Sequence, residues 1–433
     1  MLKYLNGDKI KFIESLELIL DKRRSQSSKK FAVVKKIIAD VIKNKDNAII
    51  RYEKKFSKTK KITAKNIKFS KIEIRNILKK LDIKTKKSID LAFNRIYRFH
   101  INQKLKNYKI KDSYKNHFSY ISSPIEKIGV YVPGGTASYP SSVLMNCIPA
   151  IIAGVKEIYL TTPANNKNYN PAVLYAARKC GVKDIYKIGG VQAIAAFAYG
   201  TKLVKKVNKI VGPGNEYVAL AKKEVFGKVG IDMIAGPSEV TIIADNTANP
   251  EWIASDLIAQ AEHDKLAQSI LITNNRNIIK KVNVSLVKQL SNLNKKKIAS
   301  QSLKKYGLAI FTSNKKTLFK ITNVIAPEHL EICTSNPEKI LKNIYNAGSI
   351  FLGNYSPEAM GDYVAGTNHV LPTAGSAKFS SGLSVYDFLK RHSVIKISKS
   401  GIERLGPSVI NLAQYENLDG HANSIKLRLK GKN

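Results

Sequence analysis

After about residue 120, the sequence alternates short runs rich in β-branched residues with segments of helical spacing. The runs are KIGVYVPGG, EIYLTTP, DIYKIGG and KIVGPGN, and the same rhythm resumes at VTIIAD, QSILITNN, LAIFTSN and SIFLGNY. Strands that alternate with helices predict parallel sheets, because each crossover returns the chain to the same edge. The pattern predicts an α/β fold with two Rossmann-like units, mostly parallel sheets, and ligands at the carboxyl ends of the strands.

The first 120 residues are rich in lysine and have a different pattern. FAVVKKIIADVIKN and KSIDLAFNRIYRFHINQK carry apolar residues three and four positions apart, which predicts helices. The last 45 residues or so predict a helical or extended tail. The predicted division is an N-terminal arm (1–25), a first α/β domain with most of the candidate reactive residues (26–130 plus 239–383), a second Rossmann-like α/β domain (131–238) and a C-terminal tail (384–433).

Composition limits the class of protein. The chain has 433 residues, of which 44% are hydrophobic, so it can bury large cores. It contains neither an uninterrupted apolar signal segment nor a run of about 18 apolar residues, which predicts no membrane association. Cys147, Cys180 and Cys333 are widely spaced, so neither a disulfide framework nor a thiolate metal site is indicated. The expected location is the cytoplasm.

The formal net charge of +41 raises the possibility of nucleic-acid binding. The excess is mostly lysine, and it is spread from KKFAVVKK to KLRLKGKN instead of forming one patch. No RRM, KH, zinc-finger or helix-turn-helix signature is present. The sequence therefore predicts no specific nucleic-acid partner, although weak adhesion to polyanions is expected.

The segment AQAEHD (259–264) concentrates polar groups at the end of a predicted helix. Asn249 is suited to cap that helix, and Pro250 to its first position. Gln260 and His263 are three residues apart, so both side chains should emerge on one face. An imidazole and an amide oxygen on one face can hold a metal ion, but a solvated polar helix end would have the same composition.

Two glycine-rich turns, VPGGT (132–136) and GPGN (212–215), could let the backbone approach a ligand closely. Neither is a dinucleotide-binding fingerprint, because Tyr217 stands where GPGNEY should have its third glycine. A purely structural role for both turns is equally compatible with the sequence.

Four histidines after residue 259 lie in compact polar motifs: AQAEHD, APEHLEI, GTNHVLPT and NLDGHANS. Gln260, His263, Asp362 and His421 together offer a plausible set of metal ligands. Glu328 and His329 are an adjacent carboxylate and imidazole suited to general-base work at neutral pH. Turn and cap chemistry could explain any one of these motifs, but the combination favours a metal enzyme.

Longer stretches of the sequence resemble histidinol dehydrogenases. The similarity is carried in order by IGVYVPGGTASYPSSVLMNCIPAIIAGV, GGVQAIAAFAYGT, VGPGNEYVALAK, IDMIAGPSEVTIIAD, DLIAQAEHD, APEHLEI and NAGSIFLGNYSPEAMGDYVAGTNHVLPTAGSAKFSSGLSVYDF. It runs from about residue 30 to residue 430 and is weakest in the N-terminal third. In RYEKKFSK, Ser57 stands where the family usually has an acid.

The resemblance implies the last step of histidine biosynthesis, in which L-histidinol is oxidised through L-histidinaldehyde to L-histidine while two NAD molecules are reduced. It implies one zinc ion per subunit, and NAD bound on residues 131–238. It also implies a homodimer whose tails cross to the partner and whose active sites are shared.

Site residues follow from the same resemblance. It implies that His329 takes the alcohol proton and that Glu328 activates water for the second oxidation. The remaining residues fall into three groups: zinc ligands, substrate contacts and NAD contacts. The implied zinc ligands are Gln260, His263, Asp362 and His421; the substrate contacts are these four with Ser238, His329, His369 and Glu416; the NAD contacts are Tyr131, Gln192 and Asn215.

Two other classes of protein remain possible from the residues alone. A zinc hydrolase would use the same ligands to activate water without a nicotinamide. A binding protein for polyanions would show neither turnover nor stoichiometric metal, and its affinity would fall steeply with salt.

Overall fold

The computed structural model describes residues 2–24, 28–57, 61–134, 139–163 and 169–431. Of the motifs discussed above, the second half of the VPGGT turn, Gly135 and Thr136, lies outside these residues. The strands are β1 (Lys3–Asn6), β2 (Tyr108–Lys111), β3 (His117–Pro124), β4 (Lys127–Tyr131), β5 (Glu157–Thr161), β6 (Asp184–Tyr186), β7 (Lys209–Val211), β8 (Gly230–Ile231), β9 (Glu239–Ala244), β10 (Gln268–Thr273), β11 (Leu308–Phe311), β12 (His329–Cys333), β13 (Ser349–Leu352) and β14 (Leu389–Lys396).

Helices separate most of these strands along the chain. They are α1 (Phe12–Arg24), α2 (Ser28–Phe56), α3 (Lys71–Leu78), α4 (Ile83–His100), α5 (Pro140–Ala153), α6 (Pro171–Lys179), α7 (Gly190–Tyr199), α8 (Glu216–Val225), α9 (Pro250–Ala261), α10 (Arg276–Ser291), α11 (Lys296–Tyr306), α12 (Lys315–Ile325), α13 (Pro337–Leu341), α14 (Glu358–Tyr363), α15 (Lys399–Tyr415) and α16 (Asp419–Lys430). Helix α2 is kinked at Lys45, whose φ is 46°.

Two parallel sheets form the framework, which confirms the predicted α/β class. One has six strands in the order β1-β11-β10-β9-β12-β13, and the other has five in the order β6-β5-β4-β7-β8. Apart from the edge strand β1, the chain in each sheet starts at an inner strand, β9 or β4, adds the next two strands on one side of it, and then adds two more on the other side. This is the doubly wound arrangement. A third, antiparallel sheet has the order β14-β3-β2.

Helices cover both faces of the six-stranded sheet. Successive residues of a strand point to opposite faces, so Val240 and Ile242 pack beneath α9 and α10, while Ile243 packs beneath α1 and α12. The five-stranded sheet is covered by α4, α5 and α6 on one face and by α2, α7 and α8 on the other. Of the N-terminal helices, α1 therefore packs on the six-stranded sheet, whereas α2 and α4 cover opposite faces of the five-stranded sheet.

The first 120 residues contain the predicted helices, and they also contain strands that the sequence pattern did not indicate. Strand β1 pairs in parallel with β11 at the edge of the six-stranded sheet. A four-residue edge strand is too short for a periodicity to be recognised.

Strand β4 lies at the centre of the five-stranded sheet, although the predicted domain boundary at 130/131 cuts through it.

Cys147, Cys180 and Cys333 are free and buried. Within the residues that the structure describes, no helix has both the length and the apolar character that a bilayer crossing requires.

Candidate active site

The predicted site residues lie at opposite ends of the two parallel sheets. Tyr131 ends β4, and the turn before Gln192 follows β6, so both lie at the carboxyl edge of the five-stranded sheet. Ser238, Glu328 and His329 instead lie at the amino ends of β9 and β12. The expectation that ligand residues follow the strands is therefore wrong for the six-stranded sheet.

The connection between the two sheets explains this placement. Residues 232–238 run from the carboxyl end of β8 to the amino end of β9. An extended segment of this length reaches about 25 Å at most. The carboxyl edge of one sheet and the amino edge of the other therefore face a common region, where a cofactor on one edge can meet a substrate on the other.

Glu328 and His329, which we call the acid–base pair, are both buried. The backbone N–H of Glu239 donates to Glu328 Oε2 at 2.9 Å, and His329 Nδ1 donates to the Glu239 carbonyl at 3.1 Å. A carbonyl only accepts, so Nδ1 carries the proton and Nε2 keeps its lone pair. Burial raises the pKa of Glu328 well above its ordinary value and lowers the pKa of His329. His329 is thus a neutral imidazole with a free basic nitrogen.

Arg23 on α1 holds the strand start on which the acid–base pair depends. Its guanidinium donates to the Glu239 carboxylate, to the Pro237 carbonyl at 2.7 Å and to the Ser238 carbonyl at 3.2 Å. The side chains of Arg23 and Glu239 are both almost fully buried. No local sequence signal indicated this contact, because the two residues are 216 positions apart.

Helix α14 adds two carboxylates beside the imidazole of His329. Glu358 Oε1 lies 3.8 Å from Nδ1, and Asp362 Oδ1 lies 3.8 Å from Nε2. The two acids are four residues apart, so they share one face of the helix. Burial raises the pKa of Glu358 well above its ordinary value, and the charge of Asp362 adds to this shift. Glu358 is not among the residues predicted from the sequence, although its four-residue spacing from Asp362 could have indicated it.

His369 joins the same group of side chains. Its Nδ1 donates to the Asp362 carbonyl at 3.0 Å, and its ring is half-buried. Burial lowers the pKa of His369. The structure therefore brings together the acid–base pair, Asp362 and His369, which are four of the residues singled out from the sequence.

Helix α9 begins as predicted but ends earlier. Asn249 caps it by accepting from the Glu251 N–H, and Pro250 is its first residue. The helix ends at Ala261, and His263 lies in the following turn, where its N–H donates to the Gln260 carbonyl at 3.2 Å. Asp264 then forms an Asx turn with Leu266. The prediction that Gln260 and His263 both project from helical backbone is thus wrong for His263.

The environment of Gln260 fits a metal ion. The residue is fully buried, and within the described part of the chain neither its amide oxygen nor its amide nitrogen has a hydrogen-bond partner. A buried amide requires a polar partner, and a metal ion would satisfy its oxygen. His263 is exposed, yet its charge lowers the pKa of both His329 and His369, so it lies near them. Helix α9 also packs against α14, which carries Asp362.

A second group of side chains could also hold a cation. Ligand atoms of His329, Glu358 and Asp362 lie within 4.8 Å of one another. This group shares Asp362 with the four ligands predicted from the sequence. It contains His329 and Glu358 where the predicted set has Gln260, His263 and His421. Both sets combine nitrogen and oxygen donors, which suits zinc. The donor chemistry of this region therefore fits a divalent metal, and the two sets make different predictions about Glu358.

The carboxyl edge of the five-stranded sheet carries the residues predicted to contact NAD. Burial raises the pKa of Tyr131 to about 12, and its hydroxyl accepts from the Gly190 N–H at 3.1 Å. Asn215 caps α8 through the Val218 N–H. Gly212 has φ +112°, and a Cβ there would lie 2.1 Å from the Tyr131 carbonyl oxygen. The GPGN turn therefore requires its first glycine for close backbone approach.

The structure does not bring Glu416 and His421 to the other site residues within this chain. Both are exposed, Glu416 at the end of α15 and His421 in α16. The two helices pack against each other as a hairpin that follows β14. Their predicted roles depend on a second copy of the chain and stay predictions.

Taken together, the doubly wound sheets, the glycine turns at one edge and the buried acid–base pair at the other define an α/β enzyme. A model of the histidinol dehydrogenase family matches residues 20–429. Histidinol dehydrogenase of Pelagibacter ubique is 54% identical over 433 residues, covering 100% of both chains, and that of Clostridium acetobutylicum is 45% identical, covering 98% of this chain and 97% of the other. The crystal structure of histidinol dehydrogenase from Elizabethkingia anophelis has a TM-score of 0.93 at 39% identity, covering 99% of this chain and 98% of that one.

This chain belongs to the histidinol dehydrogenase family, whose members are NAD-dependent oxidoreductases. The resemblance seen in the sequence is thereby confirmed.

Proposed function

We propose that this protein oxidises L-histidinol to L-histidine through L-histidinaldehyde, with reduction of two NAD molecules. The observation that carries the proposal is the geometry of His329. Its Nδ1 is held by a backbone carbonyl, while its buried Nε2 has no hydrogen-bond partner among the described residues and faces Asp362. An oriented, neutral imidazole is suited to accept the proton of an alcohol as hydride leaves the adjoining carbon.

Each step has a residue to receive its proton. In the first oxidation, a hydride leaves C–H of the alcohol for NAD, and His329 Nε2 takes the hydroxyl proton. In the second, Glu328 takes a proton from the water that adds to the aldehyde, the resulting hydrate anion loses a hydride to the second NAD, and the carboxylic acid so formed releases its proton to solvent to give the carboxylate. The raised pKa of Glu328 makes it a stronger base than an exposed glutamate once it is ionised.

A zinc ion would be held by Gln260, His263, Asp362 and His421. When bound, it would fix the amino and imidazole groups of the substrate. Ser238, His329, His369 and Glu416 are proposed to contact the same substrate, together with the ligand residues. The buried, unpartnered amide of Gln260 supports its place in this set.

NAD is proposed to bind at the carboxyl edge of the five-stranded sheet, on Tyr131, Gln192 and Asn215. Bound there, it supplies the hydride acceptor. Its edge of the sheet adjoins the acid–base pair through residues 232–238, which supports transfer between the two. The three free, buried cysteines fit a reducing compartment, so we place the reaction in the cytoplasm.

We propose that the protein acts as a homodimer in which the tail of each chain completes the site of the other. On α15, Leu405, Val409 and Leu412 form an exposed apolar stripe at helical spacing. Apolar stripes of this kind mark interaction surfaces. A partner subunit that covers the stripe would also explain why Glu416 and His421 are solvent-exposed in a single chain.

Mixing two inactive variants tests the shared site. His421→Ala and Asp362→Ala should each be inactive as homodimers, because each removes one ligand from both sites. After unfolding and refolding together, half of the dimers should be mixed, and each mixed dimer regains one intact site. We expect about a quarter of the native activity, measured as NADH formation. An inactive mixture that still contains mixed dimers would show that the tails do not cross.

The reaction itself is tested by NADH absorbance when the purified protein is mixed with L-histidinol and NAD. We expect two NADH per L-histidinol, loss of the activity on chelation, and recovery with zinc. A zinc hydrolase would give no NADH, and a polyanion-binding protein would give neither NADH nor stoichiometric zinc. Either result would contradict the proposed function.

A further inference from the structure

Glu53 on α2 is a fully buried acid that lies outside the set of proposed site residues. Its Oε1 accepts hydrogen bonds from the Gly189 N–H and from Gln192 Nε2, both at 2.7 Å. Its Oε2 accepts from the Ser57 hydroxyl at 2.6 Å. Burial raises its pKa, while these three hydrogen bonds oppose the shift. The carboxylate thus provides only acceptors, and each is directed at a particular donor.

The contacts of Glu53 converge on the first turn of α7. Gly189 is the N-cap residue of that helix, and Gln192 is in its first turn. A carboxylate at this place accepts from a backbone N–H that has no partner within the helix. Its negative charge also interacts favourably with the positive end of the helix dipole. The adjacent Gly190 N–H donates to the hydroxyl of Tyr131. Two of the three residues proposed to contact NAD are therefore tied to the turn that Glu53 holds.

The orientation of the Gln192 amide follows from its bond to Glu53. Because a carboxylate accepts and does not donate, the amide nitrogen must face Glu53. The amide oxygen then points away from it, and among the described residues this buried oxygen has no partner. A buried, unpaired acceptor next to a proposed ligand site is suited to a donor group of that ligand.

We propose that Glu53 is a positioning residue for NAD binding, which fixes Gln192 so that its amide oxygen is presented to a hydroxyl or carboxamide N–H of the cofactor. This inference rests on the proposed contact between Gln192 and NAD. The Ser57 hydroxyl, one helical turn later, holds the second oxygen of the Glu53 carboxylate.

The decisive experiment compares two replacements of Glu53. In Glu53→Leu, the Gly189 N–H and Gln192 Nε2 lose their common acceptor, so the Gln192 amide is no longer held with its oxygen toward NAD. The KM for NAD should rise about tenfold, as expected for loss of one buried hydrogen bond. The KM for L-histidinol and kcat at saturating NAD should change less than twofold. In Glu53→Gln, the amide oxygen can accept from both donors while the amide nitrogen donates to the Ser57 hydroxyl, so the KM for NAD should stay within about threefold of the native value.

A purely structural role would give a different result. It predicts a lower thermal midpoint for Glu53→Leu with an unchanged KM for NAD, or a KM raised as much in Glu53→Gln as in Glu53→Leu; either would overturn the inference. If Glu53→Leu is too unstable to assay, Glu53→Asp, whose carboxylate is one methylene shorter, takes its place: it should also raise the KM for NAD, and an unchanged KM would overturn the inference. Glu14→Leu, the same change as Glu53→Leu at an exposed acid, is the matched control and should match the native protein.

Gln192→Ala separates failure of the inference from failure of the proposed cofactor site. An unchanged KM for NAD in Gln192→Ala would remove the proposed contact and the inference with it. A raised KM in Gln192→Ala, combined with an unchanged KM in Glu53→Leu, would retain the contact and overturn only the positioning role.

Discussion

Replacement of His329 by asparagine is expected to lower kcat for L-histidinol by about 10²–10⁴-fold, the usual contribution of a general base. Asparagine can still donate to the Glu239 carbonyl, as Nδ1 of His329 does at 3.1 Å, so the strand start should keep its structure. It has no basic nitrogen in place of Nε2. The measurement is steady-state NADH formation, with zinc content and thermal unfolding recorded in parallel. A kcat within tenfold of the native value, in a folded variant with bound zinc, would exclude His329 as the base.

Glu328→Gln is the comparison variant for this experiment. Its amide oxygen can still accept from the Glu239 N–H, but the group cannot take up a proton. We expect it to slow the oxidation of L-histidinaldehyde more than that of L-histidinol, so that a rapid first NADH precedes a slow second one. Stopped-flow absorbance with each substrate resolves the two steps. Equal losses at both steps would contradict the division of roles between Glu328 and His329.

Asp362→Ala is expected to lower zinc affinity by at least about 100-fold and to abolish turnover. Loss of a residue that only orients a metal ligand costs about 10–100-fold, so loss of a ligand should cost more. Asp362 is common to both candidate donor sets, which makes it the most informative position. Zinc per chain is measured by elemental analysis after dialysis against a series of buffered free-zinc concentrations. Full zinc retention would exclude Asp362 as a ligand.

Glu358→Gln distinguishes the two donor sets. Glu358 lies on the same face of α14 as Asp362 and equally close to His329. It belongs only to the second group, that of His329, Glu358 and Asp362. If zinc is held by Gln260, His263, Asp362 and His421, this variant should keep its zinc. If Glu358 is a ligand, zinc affinity should fall as it does for Asp362→Ala.

Local sequence determined much of this protein. The start of α9 at Asn249 and Pro250 follows from the local sequence, and the parallel α/β class follows from the alternation of strand and helix patterns; both were predicted. The acid–base pair could be singled out because its two members are adjacent in the chain. The family was recognisable because its motifs are long and occur in order.

Tertiary structure alone decided where these parts meet. Ser238, Glu328 and His329 lie at the amino ends of β9 and β12, and residues 232–238 connect this edge to the carboxyl edge of the other sheet, which no periodicity reveals. Arg23 meets Glu239 across 216 positions, and Glu53 meets Gln192 across 139. Such contacts depend on how whole layers pack. A buried charged or polar group requires a partner, but the sequence near either residue does not indicate which distant residue that partner is.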